Sequence, residues 1–109
     1  MEYQSQDPKL DAIVKTLVDH FHPTQVFLFG SRANGNARPE SDYDLFLIIK
    51  NSEKSPVNRM QEANLLLWKN KSKVDVFIYT EEEYNSWKNE LNTIANTVFS
   101  EGKELQIGQ

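Results

Sequence analysis

The sequence contains no cysteine among its 109 residues. Disulfide scaffolds, thiol catalysis and cysteine-based zinc sites are therefore excluded. Positive charge is also scarce, because 12 Lys and Arg residues stand against 16 Asp and Glu residues and give a formal net charge of −4. Proteins that bind nucleic acid directly usually concentrate an excess of basic residues on one face. We therefore expect no direct nucleic-acid partner.

Long hydrophobic runs are absent as well. No stretch of this sequence approaches the roughly 20 apolar residues of a transmembrane helix, and the opening MEYQSQDPKL lacks the apolar segment of a signal peptide. We expect no membrane association and a cytoplasmic location. The composition, 39% hydrophobic and 26% charged, is that of an ordinary globular protein, and we expect a single domain over residues 1–109.

Hydrophobic periodicity predicts an alternation of helices and strands. Three apolar and β-branched segments are predicted strands: residues 24–29, 42–49 and 73–79. Predicted helices cover residues 10–21, a short turn after Gly30, residues 57–67, a segment opened by a capping box at Thr80, and residues 91–99, closed by Gly102. Trp68 and Trp87 fall within helical patterns, so we expect both to pack in the interior. The predicted fold class is α/β (α+β), a small sheet flanked by helices.

Two carboxylates stand one residue apart at the start of the second predicted strand. Because side chains alternate along a strand, Asp42 and Asp44 share one face. Asp75 lies in the third predicted strand, and it can join them if the two strands are neighbours. Such a cluster would hold protons rather than charge unless a hard divalent cation such as Mg²⁺ compensated it. Taken singly, each aspartate could instead be a turn or cap residue.

The first predicted strand ends at Gly30-Ser31. Small residues at such a turn allow backbone N–H groups to approach a phosphate, and Ser31 adds a hydroxyl donor. The sequence GSRANGNA has the spacing of neither a Walker loop nor a dinucleotide fingerprint. By itself Gly-Ser is more often a plain turn. Its combination with Asp42-x-Asp44, ten residues further on, is more informative, since one element could hold a triphosphate and the other its metal ions.

Gly30-Ser31, the ten-residue spacer, Asp42-x-Asp44 and the separate Asp75 together resemble the DNA polymerase β-like nucleotidyltransferase superfamily. The chain is most similar to the minimal nucleotidyltransferases (MNT) of that superfamily, over nearly its whole length. The resemblance implies a palm-like nucleotidyltransferase fold with a small mixed sheet. In one departure, Asn34 occupies a position where a second arginine is frequent.

The resemblance also implies a reaction, in which a hydroxyl attacks the α-phosphate of ATP and pyrophosphate leaves. By position, Asp42, Asp44 and Asp75 would be the catalytic residues and the ligands of two Mg²⁺ ions. Gly30, Ser31, Arg32 and Arg38 would bind the nucleotide, although the two arginines could equally be solvated loop residues or partner contacts. MNT proteins are typically antitoxins that transfer AMP to a tyrosine of a HEPN RNase toxin, so a hetero-oligomer with that partner is expected.

Two other readings of the sequence compete with this enzyme. In the first, the same fold is a catalytically weak nucleotide-binding module that neutralises its partner by steric binding. The intact carboxylates favour the enzyme, because a pure binder has no need of a costly acidic cluster. In the second, the chain is a phosphoacceptor receiver domain, which fits poorly because the alternation of five strands is missing.

Overall fold

The computed structural model describes residues 7–39, 41–69 and 73–107. The elements follow in chain order: α1 (Pro8–Phe21), β1 (Gln25–Phe29), α2 (Ser31–Asn34), β2 (Tyr43–Ile49), α3 (Pro56–Leu67), β3 (Val74–Thr80), α4 (Glu81–Trp87), α5 (Ile94–Glu101) and β4 (Lys103–Leu105). All the predicted helices and strands are present. Of the helices in the described ranges, none has the length and apolarity needed to cross a bilayer.

The sheet is mixed, as predicted, but it has four strands in the order β3-β2-β1-β4. β1 runs antiparallel to both of its neighbours, and β2 runs parallel to β3. A parallel pair requires a crossover connection, and α3 supplies it. The central strand β2 is buried from Leu45 to Ile49, which explains its almost continuous apolar sequence.

The strand β4 was not predicted from the sequence. It is only three residues long and mostly exposed, so it carries no hydrophobic alternation. Gly102 precedes it as the C-cap of α5, but its backbone is extended, with φ −71°, rather than left-handed. A Cβ at this position would lie 2.6 Å from the carbonyl oxygen of Val98. The glycine therefore lets the chain pass close to the last turn of α5 as it enters the sheet.

Local capping determines where the helices begin. The Asp7 side chain accepts hydrogen bonds from the first turn of α1, and Pro8 follows it. Ser55 caps α3 in the same way, again before a proline. Thr80 and Glu83 form the predicted capping box of α4. Each such cap stabilises a helix by about 1 kcal/mol. The N-termini of these helices could therefore be predicted from the sequence without tertiary information.

Helices cover both faces of the sheet. One face packs against α1 and α3, and the buried residues of this layer include Ile13, Leu17, Leu45, Leu47, Val76 and Ile78. The other face packs against α4 and α5, and its buried residues are Phe29, Phe46, Ile48, Tyr84, Ala95 and Val98. Because side chains alternate along β2, Asp44 lies on the same face as Phe46 and Ile48.

The prediction that both tryptophans lie in the interior is wrong. Trp68 is 72% exposed and Trp87 is 50% exposed. Each stands at the C-terminal end of its helix, Trp68 directly after Leu67 and Trp87 as the last residue of α4. The prediction that Leu91 begins the last helical stripe is also wrong, since Leu91 precedes α5 and is 80% exposed.

A buried arginine connects the helices α3 and α4. Arg59 is only 3% exposed, and its guanidinium donates to the two carboxylate oxygens of Glu83 at 2.7 and 3.2 Å. It also donates to the carbonyl oxygens of Ile78 and Lys54, at 2.9 and 2.6 Å. The hydrogen bond from Arg59 is the largest influence on Glu83, and it lowers the pKa of that carboxyl. The pair fixes α4 against the end of β3.

Candidate active site

The parallel pairing of β2 and β3 brings two carboxylates together. Asp44 and Asp75 are register partners, so the prediction that the two strands are neighbours is confirmed. On its other side Asp44 is paired with Phe29, the last residue of β1. Asp42 lies immediately before β2, and it contributes to the electrostatic field at Asp44. The crossover through α3 thus brings Asp44 and Asp75 side by side although they are far apart in the sequence.

The environment of Asp44 disfavours its negative charge. Partial burial is the largest cause, followed by repulsion from Asp75 and from Asp42, and together they raise the pKa of the Asp44 carboxyl. A hydrogen bond between the Asp44 and Asp75 side chains acts in the same direction. Two neighbouring carboxylates that repel each other in this way provide a binding site for a positive charge, because a cation relieves their repulsion.

A complete three-carboxylate metal centre is not formed within the described residues, where no cluster of three or more acidic or histidine side chains could hold an ion. The Asp42 carboxylate lies 3.7 Å from the ammonium group of Lys73, and both side chains are solvent-accessible. What the structure brings together is the Asp44–Asp75 pair, with Asp42 beside it. This donor set suits Mg²⁺, which commonly takes one or two carboxylates and fills its other positions with water and substrate phosphate oxygens.

The glycine of the Gly30-Ser31 turn lies directly against this carboxylate pair. A Cβ added at Gly30 would come within 2.2 Å of Asp44 Oδ2, so no other residue fits without displacing the carboxylate. The Gly30 backbone has φ 74° and ψ −157°, which is a conformation open essentially to glycine alone. The close approach to Asp44 and the positive φ both require a glycine at position 30, directly after β1.

Ser31 begins the short helix α2 next to the carboxylates. The carbonyl oxygen of Gly30 accepts hydrogen bonds from the N–H groups of Ala33 and Asn34, at 3.0 and 3.2 Å. Because the N-cap is a glycine, it places no capping side chain over the first amide groups of α2. The Ser31 hydroxyl is partly exposed at this turn. The turn can therefore present a hydroxyl donor beside an acidic pair.

Arg32 makes contacts that sequence reasoning missed. One guanidinium nitrogen, Nη2, donates to the carbonyl oxygens of Pro39 and Ser41, at 3.2 and 2.8 Å. The guanidinium also lies over the ring of Tyr43, 4.1 Å from its centroid. The Tyr43 hydroxyl donates to Asp7 Oδ2 at 2.7 Å. In the sequence, the only sign of these contacts was Tyr43, an aromatic residue between two aspartates that faces the α1 side of the sheet.

The remaining basic residues of the site are exposed. Arg38 closes a turn with Ser41, whose hydroxyl accepts from the Arg38 N–H at 2.8 Å and whose N–H donates to the Arg38 carbonyl at 2.9 Å. The Arg38 side chain extends to solvent, and its nucleotide contact stays a prediction. Lys73 was not predicted for this site. Its position two residues before Asp75 was the available signal, because i and i+2 share a face of a strand.

The fold and the site together define a class: α/β domains that carry an acidic pair beside a glycine-serine turn, as phosphoryl- and nucleotidyl-transferring proteins do. Comparison with protein-family models gives a match to "Polymerase beta, Nucleotidyltransferase" over residues 11–105. The chain therefore belongs to the polymerase β nucleotidyltransferase family. No curated protein matches this sequence.

Solved structures share the fold. One is a Sulfolobus solfataricus protein described as a nucleotidyltransferase, with 26% identity and a TM-score of 0.56, covering 72% of this chain and 69% of the other. Another is a toxin-antitoxin solved with AMP-PNP, with 21% identity and a TM-score of 0.57, covering 94% of this chain and 76% of the other. At such low identity the second likeness shows the fold alone.

Proposed function

We propose that this protein is a Mg²⁺-dependent nucleotidyltransferase that transfers AMP from ATP to a tyrosine hydroxyl of a HEPN RNase toxin, and so acts as an antitoxin. The observation that carries the proposal is the carboxylate pair Asp44–Asp75, packed against Gly30 at the turn that presents Ser31. A pair whose charges repel, next to a hydroxyl donor, suits a metal-bound triphosphate better than any purely structural use.

In the proposed reaction Asp42, Asp44 and Asp75 would hold the metal ions, and Gly30 and Ser31 would hold the phosphate tail. When bound, Mg²⁺ would neutralise the triphosphate and lower the pKa of the acceptor hydroxyl. The exposed Asp75 accepts the proton of that hydroxyl. The hydroxyl oxygen then forms a bond to the α-phosphorus, the bond from that phosphorus to the pyrophosphate oxygen breaks, and Ser31 donates a hydrogen bond to the departing phosphates.

The choice of a protein acceptor is supported by charge. The chain carries a net charge of −4, which disfavours a nucleic-acid acceptor. The toxin-antitoxin with AMP-PNP that shares the fold is consistent with a nucleotide substrate and a toxin partner. The HEPN identity of that partner rests on the resemblance of the sequence motif.

The test is to incubate the purified protein with ATP, Mg²⁺ and the product of the adjacent gene, and to measure the mass of that product. An added AMP that is lost in D44N and D75N supports the proposal. The matched control is D19N, because Asp19 is an exposed aspartate on α1 that pairs with Lys15. A partner whose mass is unchanged, although ATP and the wild-type protein bind to each other, would refute AMP transfer.

A second candidate function is neutralisation by steric binding, with little turnover. The exposed apolar side chains favour it, since large apolar groups on a surface often mark interfaces. They are Val57, Leu65, Trp68, Trp87, Leu91 and Phe99. In this case D44N would still neutralise the toxin fully in a growth assay, with no mass change in the partner. Loss of neutralisation in D44N, with the complex intact on gel filtration, would exclude it.

A further inference from the structure

The guanidinium of Arg32 links the turn that carries Ser31 to the loop that carries Asp42. We propose that Arg32 is a positioning residue, which holds the Asp42 carboxylate in place for the metal, rather than a ligand of the phosphate tail. This inference rests on the proposed function, because it concerns the same site. It assigns to Arg32 a role different from the nucleotide contact that the sequence predicted.

Arg32 holds the peptide group that precedes Asp42. Its Nη2 donates to the Ser41 carbonyl oxygen at 2.8 Å, and that carbonyl belongs to the peptide bond between Ser41 and Asp42. On the other side of Asp42, the Tyr43 N–H donates to the carbonyl oxygen of Lys73 at 3.0 Å. Asp42 therefore lies between two fixed peptide groups, one held by Arg32 and the other by Lys73, immediately before the edge strand β3.

The guanidinium of Arg32 is itself anchored. It stacks on the Tyr43 ring at 4.1 Å, and the Tyr43 side chain is almost fully buried, at 2% exposure. The hydroxyl of Tyr43 is in turn held by Asp7, the N-cap of α1. A planar guanidinium suits this arrangement, because it can stack on a ring and donate in its own plane to two carbonyl groups.

The contacts of Arg32 point away from a phosphate site at Asp44. Its Nη2 is shared by two backbone carbonyls, Pro39 and Ser41, and its ring contact, Tyr43, lies on the sheet face opposite to Asp44. The positive charge is thus directed at the loop and at Tyr43. Residues of this kind, which orient a metal ligand without touching the metal, typically change metal affinity or activity by about 10- to 100-fold when they are replaced.

The experiment compares R32K and R32M with wild type, and K50M serves as a control for the loss of one exposed positive charge. Lysine keeps the positive charge but lacks the planar guanidinium that donates to the two carbonyl oxygens and stacks on the Tyr43 ring. If Arg32 positions Asp42, both variants should raise the half-saturating Mg²⁺ concentration for AMP transfer by about tenfold. High Mg²⁺ should partly restore kcat, and the KM for ATP should stay within about twofold. K50M should match wild type.

A second readout is independent of catalysis. Amide hydrogen exchange without metal or nucleotide should be at least about tenfold faster at Ser41 and Tyr43 in both Arg32 variants, with the pairing of β1 and β2 unchanged. Wild-type exchange at these amides, or a Mg²⁺ dependence that R32K leaves unchanged, would overturn the proposal. A raised KM for ATP with normal exchange would likewise overturn it and assign Arg32 to the phosphate. If wild type transfers no AMP, the proposed function fails, and exchange alone decides whether Arg32 holds the loop.

Discussion

Replacement of Gly30 by alanine should damage stability and catalysis together. The backbone of Gly30, with φ 74° and ψ −157°, is a conformation that costs a non-glycine residue about 1–3 kcal/mol. The added Cβ would also lie 2.2 Å from Asp44 Oδ2, more than 1 Å short of the 3.4 Å at which ordinary contact begins. The Asp44 carboxylate must therefore move by about 1 Å.

The backbone strain and the displacement of Asp44 affect different quantities, the thermal stability and the transfer rate. A change of 1 kcal/mol shifts the Tm of a domain of this size by about 4–8 °C, so about 1–3 kcal/mol of strain should lower the Tm of G30A by about 4–24 °C. A misplacement of about 1 Å at a reacting group costs on the order of 100-fold in rate. Thermal unfolding by circular dichroism and AMP transfer at saturating ATP and Mg²⁺ measure the two effects on the same samples.

Gly35 provides the matched control. It also has a positive φ, of 82°, but a Cβ there would meet nothing within 4 Å. G35A should cost only the conformational strain, about 1–2 kcal/mol, and leave the transfer rate unchanged. In a D44A background the cost of G30A should fall to its conformational strain alone, about 1–3 kcal/mol, because the clashing carboxylate is absent. Equal stability and activity of G30A and G35A in the wild-type background would refute the packing of Gly30 against Asp44.

Three further predictions concern other parts of the fold. Arg59 lowers the pKa of the Glu83 carboxyl below its ordinary value of 4.5. The pair should therefore stabilise the fold fully at pH values above 4.5 and lose this contribution as the pH falls through the lower pKa of the folded state. R59M should cost about 3 kcal/mol at pH 7 and flatten this dependence in urea unfolding, whereas an unchanged pH profile would contradict the pairing. The pKa of the Asp44 carboxyl is raised in the folded state, so its negative charge destabilises the metal-free fold once the pH rises through that folded-state pKa. D44N should therefore be at least as stable as wild type at pH 7. Mg²⁺ should raise the Tm of wild type but not that of D44N. W68A and W87A should each change stability by no more than about 0.5 kcal/mol in chemical unfolding, because both side chains are exposed, and a loss of several kcal/mol would show that they are core residues.

The local elements were predictable because local interactions determine them. Asp7, Ser55 and Thr80 each cap a helix with their own side chain, and in two cases a proline follows. The strands β2 and β3 are buried on at least one face, so their apolar residues follow the expected patterns. The strand β4 has neither a cap nor an apolar pattern, and it exists only because β1 offers an open edge for it.

Burial at the ends of helices could not be read from periodicity. A helical pattern shows which residues share a face, but not where the helix passes the edge of the sheet. Trp68 and Trp87 stand at the C-terminal ends of their helices and are exposed to solvent. Arg59 is the opposite case, since a charged residue on a helix is usually exposed, and only the approach of Glu83 and of two backbone carbonyls makes its burial favourable.

For the site, the residue types and their order could be read from the sequence alone: a glycine-serine turn, two aspartates one residue apart, and a third on a later strand. Strand alternation also placed Asp44 and Asp75 on faces that could meet. That they do meet follows from the tertiary structure, because the register of a parallel pair depends on how the crossover helix α3 packs on the sheet. The packing of Gly30 against Asp44 and the hold of Arg32 on the Ser41 carbonyl were likewise decided by tertiary structure, since both are contacts across a turn that no pattern of residue types specifies.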